Sequence, residues 1–171
     1  MTSETTSAYR IRRAEPGDAD ALYEICLRTA DAGVDATALY SDRRLPGFIW
    51  AAAYGTLEPD FSFVLTDGDR VLGYVLATPD TAAFEDRLRR EWWPKIRAEL
   101  VGFKPVTSHD EMALSRINTP ERRDPAHPPR PLRRAQIDLL EMPDGTEIPT
   151  SLATWLAYDT LDILQGSSAA P

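Results

Sequence analysis

Phe61-Ser62-Phe63-Val64-Leu65-Thr66, then Asp67-Gly68-Asp69, then Val71-Leu72-Gly73-Tyr74-Val75-Leu76-Ala77: this stretch decides the fold. Two runs rich in β-branched and aromatic residues flank a short Asp/Gly segment. That is the composition of two antiparallel strands joined by a tight turn. No other part of the chain carries so strong a hairpin signal.

Working outward toward the N-terminus, Tyr9-Arg10-Ile11-Arg12-Arg13 alternates and reads as a first strand. Glu15-Pro16-Gly17-Asp18 makes a turn, with Asp18 set to cap a helix. Ala19 to Ala30 then carries Leu22, Ile25, Cys26 and Thr29 on one stripe, an amphipathic helix that stops near Gly33. In Val34 to Gly55, Pro46 reads as a break, and Phe48, Ile49, Trp50 and Tyr54 form one face of a short helix.

Toward the C-terminus, Thr81 to Leu100 reads as a charged helix with Phe84, Leu88, Trp92 and Ile96 four apart. Such an aromatic stripe belongs to a core. Trp92-Trp93-Pro94 interrupts it or starts a new turn. Asn118 to Pro131 holds Pro120, Pro125, Pro128, Pro129 and Pro131, a density that excludes helix and central strand. Arg133 to Leu140 reads as a strand, Met142-Pro143-Asp144-Gly145-Thr146 as a turn, and Thr150 to Gln165 as an apolar-striped helix. Antiparallel strands with helices packed on them give an α+β layered domain. The expected organisation is a disordered tail over 1–8, one domain over 9–165 with a proline-rich loop at 119–132, and a flexible tail over 166–171.

Charge limits the partners. Lys and Arg number 19 against 27 Asp and Glu, a formal charge of −8. An acidic body repels phosphate backbones, and the basic runs Arg10–Arg13, Arg122-Arg123 and Arg130–Arg134 read as strand-edge and loop solvation, so no nucleic acid is expected. The longest uncharged apolar stretch, near Phe48 to Tyr54, is too short to span a bilayer, and Met1 to Ala8 lacks the layout of a signal peptide. A soluble cytoplasmic protein with no membrane partner is the expectation. A single cysteine, Cys26, allows no internal disulfide and lies on an apolar helix face. His109 and His127 have no Cys or carboxylate at ligand spacing, so no metal is expected.

The order of elements, with these residues, resembles the GNAT family of N-acetyltransferases. Tyr9 to Asp18 is similar to that family's first strand and its turn into the first helix. The hairpin is similar to the second and third strands, with Val71-Leu72-Gly73-Tyr74-Val75-Leu76 matching the usual third-strand wording. Within the family the chain is most similar to bacterial acetyltransferases related to the C-terminal acetyltransferase-like domain of eukaryotic O-GlcNAcase. The residues behind this are Tyr23-Glu24-Ile25-Cys26, Thr29-Ala30-Asp31-Ala32-Gly33, Thr56-Leu57-Glu58-Pro59, Gly73 to Ala77, Glu91-Trp92-Trp93-Pro94 and Ile137-Asp138-Leu139-Leu140. The likeness covers about residues 9–140.

The resemblance implies a GNAT-like, mostly antiparallel sheet flanked by helices, and acetyl-CoA as co-substrate. The pantetheine arm would bond the fourth strand's main chain, here at Leu139 and Leu140; a backbone edge suits an extended amide chain. After that strand the family carries a Gln/Arg-x-x-Gly-x-Gly/Ala loop for the pyrophosphate. This chain instead reads Glu141-Met142-Pro143-Asp144-Gly145-Thr146-Glu147-Ile148-Pro149, a poor anion cradle with one glycine, added carboxylates and two prolines that lack N–H groups. The family's fifth strand and later elements have no counterpart, so the fourth strand would expose an unpaired edge unless the C-terminal tail or another chain covers it, as in pairing between two copies.

N-acetyl transfer needs a base for the acceptor ammonium and an acid for the departing thiolate. Asp138, within an apolar strand, is the base candidate, and Tyr74 is the proton donor candidate. Asp31 and Asp35 follow the first helix, where the family's acceptor groove begins, and suit a cationic amine. Glu58 reads as a turn residue. Two functions follow: acetyl transfer from acetyl-CoA to a small-molecule or protein amine by direct attack, impaired by the atypical C-terminal region, or a catalytically inactive acetyltransferase-like module that binds a partner.

Overall fold

The computed structural model describes residues 9–120 and the backbone of residues 134–139. Four strands form one antiparallel sheet in the order β1 (Tyr9–Arg13), β2 (Ser62–Asp67), β3 (Arg70–Thr78), β4 (Arg134–Leu139). Between them lie α1 (Ala19–Thr29), α2 (Leu45–Trp50), α3 (Ala52–Leu57), α4 (Thr81–Arg87), α5 (Trp93–Glu99) and α6 (Ser108–Asn118). This is the α+β arrangement of a sheet flanked by helices that the sequence leads one to expect. The expected tails, most of the proline-rich loop, the 141–149 turn and the 150–165 helix lie outside the described residues.

The hairpin closes as its turn chemistry requires. Asp67 pairs Arg70 across two residues, and Gly68 sits at φ +58°, as the first central residue of a II′ turn must. Leu65 opposes Gly73 while Thr66 opposes Val71, so Leu72 is the extra residue of a bulge in β3. Phe61, expected in the strand, instead ends a 3-10 turn over Pro59–Phe61, because Pro59 fixes the turn geometry just before β2.

One core gathers on the helical face of the sheet. Leu22, Ile25, Cys26 and Leu27 of α1 meet Leu45 and Phe48 of α2, Tyr54 and Leu57 of α3, and Val64, Tyr74 and Leu76 of the sheet. The stripe Phe84, Leu88, Trp92, Ile96 joins the same core, with Phe84 stacked on Tyr54 at 4.4 Å. Leu65, Val75 and Ala77 alternate with the core-facing strand residues and are buried as well, so the sheet is covered on both faces.

Two local features differ from the sequence expectation for physical reasons, and a third, the interruption of the 81–100 helix, begins earlier than expected while a new helix starts at Trp93 as expected. Pro46 does not break a helix; it occupies the first turn of α2, where its missing N–H costs nothing. The 81–100 helix is interrupted at Leu88–Trp92 by a π turn, which widens the helix just ahead of Pro94, whose ring crowds the carbonyl four residues back. The Trp92 indole N–H donates to the Phe48 carbonyl at 2.8 Å and ties this turn to α2. Asp18 precedes α1 but makes no cap bond to it. Its carboxylate accepts from both Arg12 guanidinium nitrogens (2.6 and 2.8 Å) and from Glu15 N–H (2.7 Å), which pins the β1–α1 corner. That Arg12 pairing holds the Asp18 carboxyl below the usual carboxylate range, against the opposing effect of burial.

Helix α6 was not signalled by its weak apolar periodicity. It is fixed at its start by a capping box: Asp110 N–H donates to Thr107 Oγ1 at 3.1 Å, and Thr107 N–H donates back to the Asp110 carboxylate at 3.0 Å. Asp110 has no solvent exposure. Burial alone would raise its pKa, yet hydrogen bonds from the Ser41 hydroxyl and from Val106, Ser41 and Thr107 N–H groups hold it down to about 2.

Gly47 is demanded by the approach of α2 to α1. A Cβ at this position would stand 2.3 Å from Tyr23 Cδ1. Tyr23 is edge-on to Phe48 at 5.4 Å, so its ring has little room to yield. We expect Gly47→Ala to lose about 1–3 kcal/mol in urea denaturation through overpacking. Gly17→Ala, where a Cβ meets nothing within 4 Å, should stay within about 0.5 kcal/mol of the wild type. Equal stability of the two variants would show that the α1–α2 contact is looser than described here.

Candidate functional site

The two residues expected to carry acid and base chemistry meet across the sheet. Tyr74 on β3 and Asp138 on β4 are register partners, and Gly73 opposes Leu139 one step further along. Directly opposed residues of an antiparallel pair share a face of the sheet. The sequence separates them by a long excursion; the β3–β4 ladder brings them to one rung. Tyr74 is 1% exposed, within the core cluster and beside Leu76. Leu140 lies outside the described residues, as do the side chains of Asp138 and Leu139.

β4 ends the described sheet. In an antiparallel ladder each residue directs its N–H and C=O to the same side, and successive residues alternate. Alternate residues of Arg134–Leu139 therefore aim their main-chain groups away from β3. That outward row is the donor and acceptor set an amide-bearing arm requires.

Asp31 and Asp35 lie apart from this rung, beyond the end of α1. Asp31 exchanges backbone hydrogen bonds with Val34 (3.2 and 2.8 Å) around Ala32 and Gly33, at φ +51° and +91°. A left-handed Ala32 is sparsely populated backbone and stores strain. Asp35 accepts from Thr37 N–H at 2.8 Å and stands 3.7 Å from Arg28 Nε. Hydrogen bonds from Thr37 hold its carboxyl below the usual range. Both carboxylates are on the surface.

Glu58 was read as a turn residue, and the structure gives it more to do. Its side chain is 16% exposed, with Oε1 3.5 Å from Arg87 Nη1. Burial pushes its carboxyl up; Arg87 and the Thr78 hydroxyl oppose this without cancelling it. Arg87 donates to the Leu57 carbonyl beside it. Thr78 ends β3 and opposes Arg134, so Glu58 borders the end of the β3–β4 pair away from Leu139. Only the fold brings position 87 to position 58, and no sequence spacing announces it. Among the described residues no group of three or more His, Cys, Asp or Glu side chains is gathered to hold a metal. No described helix is long and apolar enough to cross a membrane.

Comparison with known proteins fits this architecture. No protein-family profile matches the chain. Protein O-GlcNAcase of Rattus norvegicus and that of Mus musculus are each 29% identical to it over 119 residues, 65% of this chain. The crystal structure of SsHAT superposes with a TM-score of 0.70 at 31% identity, covering 92% of this chain and 77% of that one. The chain belongs to the GNAT acetyltransferase family.

Membership in the GNAT family supports acetyl transfer as the general class of activity. The chain spans 12% of the length of the O-GlcNAcase relatives it matches, so the likeness concerns one segment of those proteins. The Tyr74–Asp138 rung lies near the C-terminal end of β4, the last strand of the sheet among the described residues.

The raised Glu58 pKa has a signed consequence. The folded state holds this proton more tightly than the unfolded chain, whose ordinary value is 4.5. Stability therefore declines as pH rises through and above that value. Measured by urea denaturation at about pH 4 and about pH 7, the stability difference between wild type and Glu58→Gln should move in favour of the Gln variant at the higher pH. Movement in the other direction would show that Arg87, rather than burial, governs this carboxyl.

Proposed function

We propose that this GNAT protein transfers an acetyl group from acetyl-CoA to a primary amine of a small molecule or protein. The observation that carries the reading is the Tyr74–Asp138 rung, one residue from the Leu139 main chain on an outward-facing strand edge. Acetyl-CoA supplies an acetyl group already activated as a thioester. Outward-directed main-chain groups at the Leu139-Leu140 end of the strand, on whichever of the two faces away from β3 and on alternate residues before it, hold its pantetheine amides. Asp138 accepts the proton of the acceptor ammonium, which frees the nitrogen lone pair for attack. The C–N bond forms as the C–S bond breaks; the Tyr74 hydroxyl gives its proton to the departing sulfur and is reprotonated by the second proton the nitrogen sheds, while Asp138 releases the first to solvent. Burial around Tyr74 keeps water from competing as nucleophile. Asp31 and Asp35 draw the cationic acceptor, helped by the acidic net charge.

The composition of Glu141 to Pro149 favours a second reading, a catalytically inactive module that keeps the fold and binds a partner. The β4 edge suits main-chain pairing with a second copy of the chain as well as with an amide arm.

Calorimetric titration with acetyl-CoA separates the two readings. The first expects saturable binding below millimolar concentration, and its absence leaves the binding-module reading. With a panel of primary amines and lysine peptides as acceptors, Asp138→Asn should lower kcat about 100-fold or more and leave acetyl-CoA affinity unchanged. An undiminished kcat would remove Asp138 from the chemistry.

A further inference from the structure

Residues 31–41 carry both proposed acceptor carboxylates but, besides the Asp31–Val34 bridge, contain only a 3-10 turn at Thr37–Leu39. A connector of this kind keeps a defined shape only where other elements hold it. Two anchors do so. On α1, Gly33 near the connector's start donates its N–H to the Thr29 carbonyl at 2.9 Å, and halfway along the fully buried Ala36 donates its N–H to the Leu27 carbonyl at 3.1 Å. At its far end the first turn of α6 takes hold. Thr107 Oγ1 donates to the Leu39 carbonyl at 2.7 Å, and the Tyr40 ring meets His109 edge-on at 5.5 Å. Ser41 donates both its N–H (3.0 Å) and its hydroxyl (2.7 Å) to the Asp110 carboxylate.

The Asp110 carboxylate does two separable jobs. Its bonds from Thr107 N–H and Val106 N–H (2.9 Å) complete the cap of α6. The Ser41 bonds are not themselves part of that cap; they cross 69 residues of sequence and tie the connector to α6. An ionised carboxylate has lone pairs for all four donors, whereas an amide would turn an N–H₂ group toward some of them. We propose that Asp110 is a positioning residue for the acceptor site: through Ser41 it fixes the 31–41 connector on α6 and so sets where Asp31 and Asp35 meet the incoming amine. This rests on the reading of those two carboxylates as the acceptor's partners.

Ser41→Ala is the cleaner test, because it removes one connector bond and leaves the α6 cap intact. Three readouts are taken on the full chain: acetyl-CoA affinity by calorimetry, KM and kcat for the best amine of the panel, and amide hydrogen exchange. In Ser41→Ala we expect unchanged acetyl-CoA affinity, kcat within twofold, KM for the amine raised at least fivefold, and exchange over 37–41 at least tenfold faster with β2 and β3 unaltered. Ser41→Thr, which keeps the hydroxyl, should restore KM. Asp110→Asn should give the same KM effect with faster exchange in α6 as well. Unchanged KM beside faster connector exchange would overturn the positioning role and leave acetyl transfer standing. No turnover of any amine by the wild type would overturn the acetyl-transfer reading itself, and this inference with it.

Discussion

The pairing of β3 with β4 is the constraint on which the rest depends. β3 follows β2 through a two-residue turn, a contact that any hairpin makes locally. Its other side is filled by a strand that begins 56 residues after β3 ends, over the six-rung register from Thr78–Arg134 to Gly73–Leu139. Closing so long a loop costs entropy that only a well-matched ladder and buried side chains offset. In return the ladder sets Tyr74 opposite Asp138 and puts the outward main-chain row of β4 next to both. A slip of one residue in this register would move Asp138 to the other face of the sheet and dissolve the rung.

The helices make that ladder worth forming. α1 lies over the sheet with Leu22, Ile25 and Leu27 buried, and its start is steered by the Arg12–Asp18 pair. α2 reaches α1 closely because residue 47 is glycine. The broken helix from Thr81 to Glu99 closes the core through Phe84, Trp92 and Ile96. Asp110 then ties the last described helix back to the connector after α1. Two buried carboxylates, Asp18 and Asp110, thus fix two of the places where the chain turns from the sheet or a helix into irregular backbone. Each is kept ionised by donors rather than left to the cost of burial.

The sequence is legible where a local rule decides the outcome. Gly68 between two apolar runs announces the hairpin, and the four-residue spacing of Phe84, Leu88, Trp92 and Ile96 announces a core stripe. The Ile137-Asp138-Leu139-Leu140 run reads as a strand, and its partner Tyr74 was already a candidate before the register joined them. What stayed hidden depends on contacts between distant segments. α6 has little apolar periodicity and is held by a capping box whose aspartate also serves Ser41, far away in the chain. Glu58 takes its raised carboxyl from burial, which Arg87 and Thr78 oppose, and neither partner is suggested by its own neighbourhood. Asp31 and Asp35 were found by position alone, and the structure adds the turn and the Arg28 contact that hold them.

The central claim is that the co-substrate lies along β4 beside the Tyr74–Asp138 rung. Amide chemical-shift mapping of the full chain during titration with acetyl-CoA tests it most directly. The account predicts that the largest shifts fall on residues 136–140 and on the β3 residues facing them, Gly73 to Leu76, while α6 beyond its first turn stays still. Shifts centred elsewhere, or none at saturating acetyl-CoA, would contradict it.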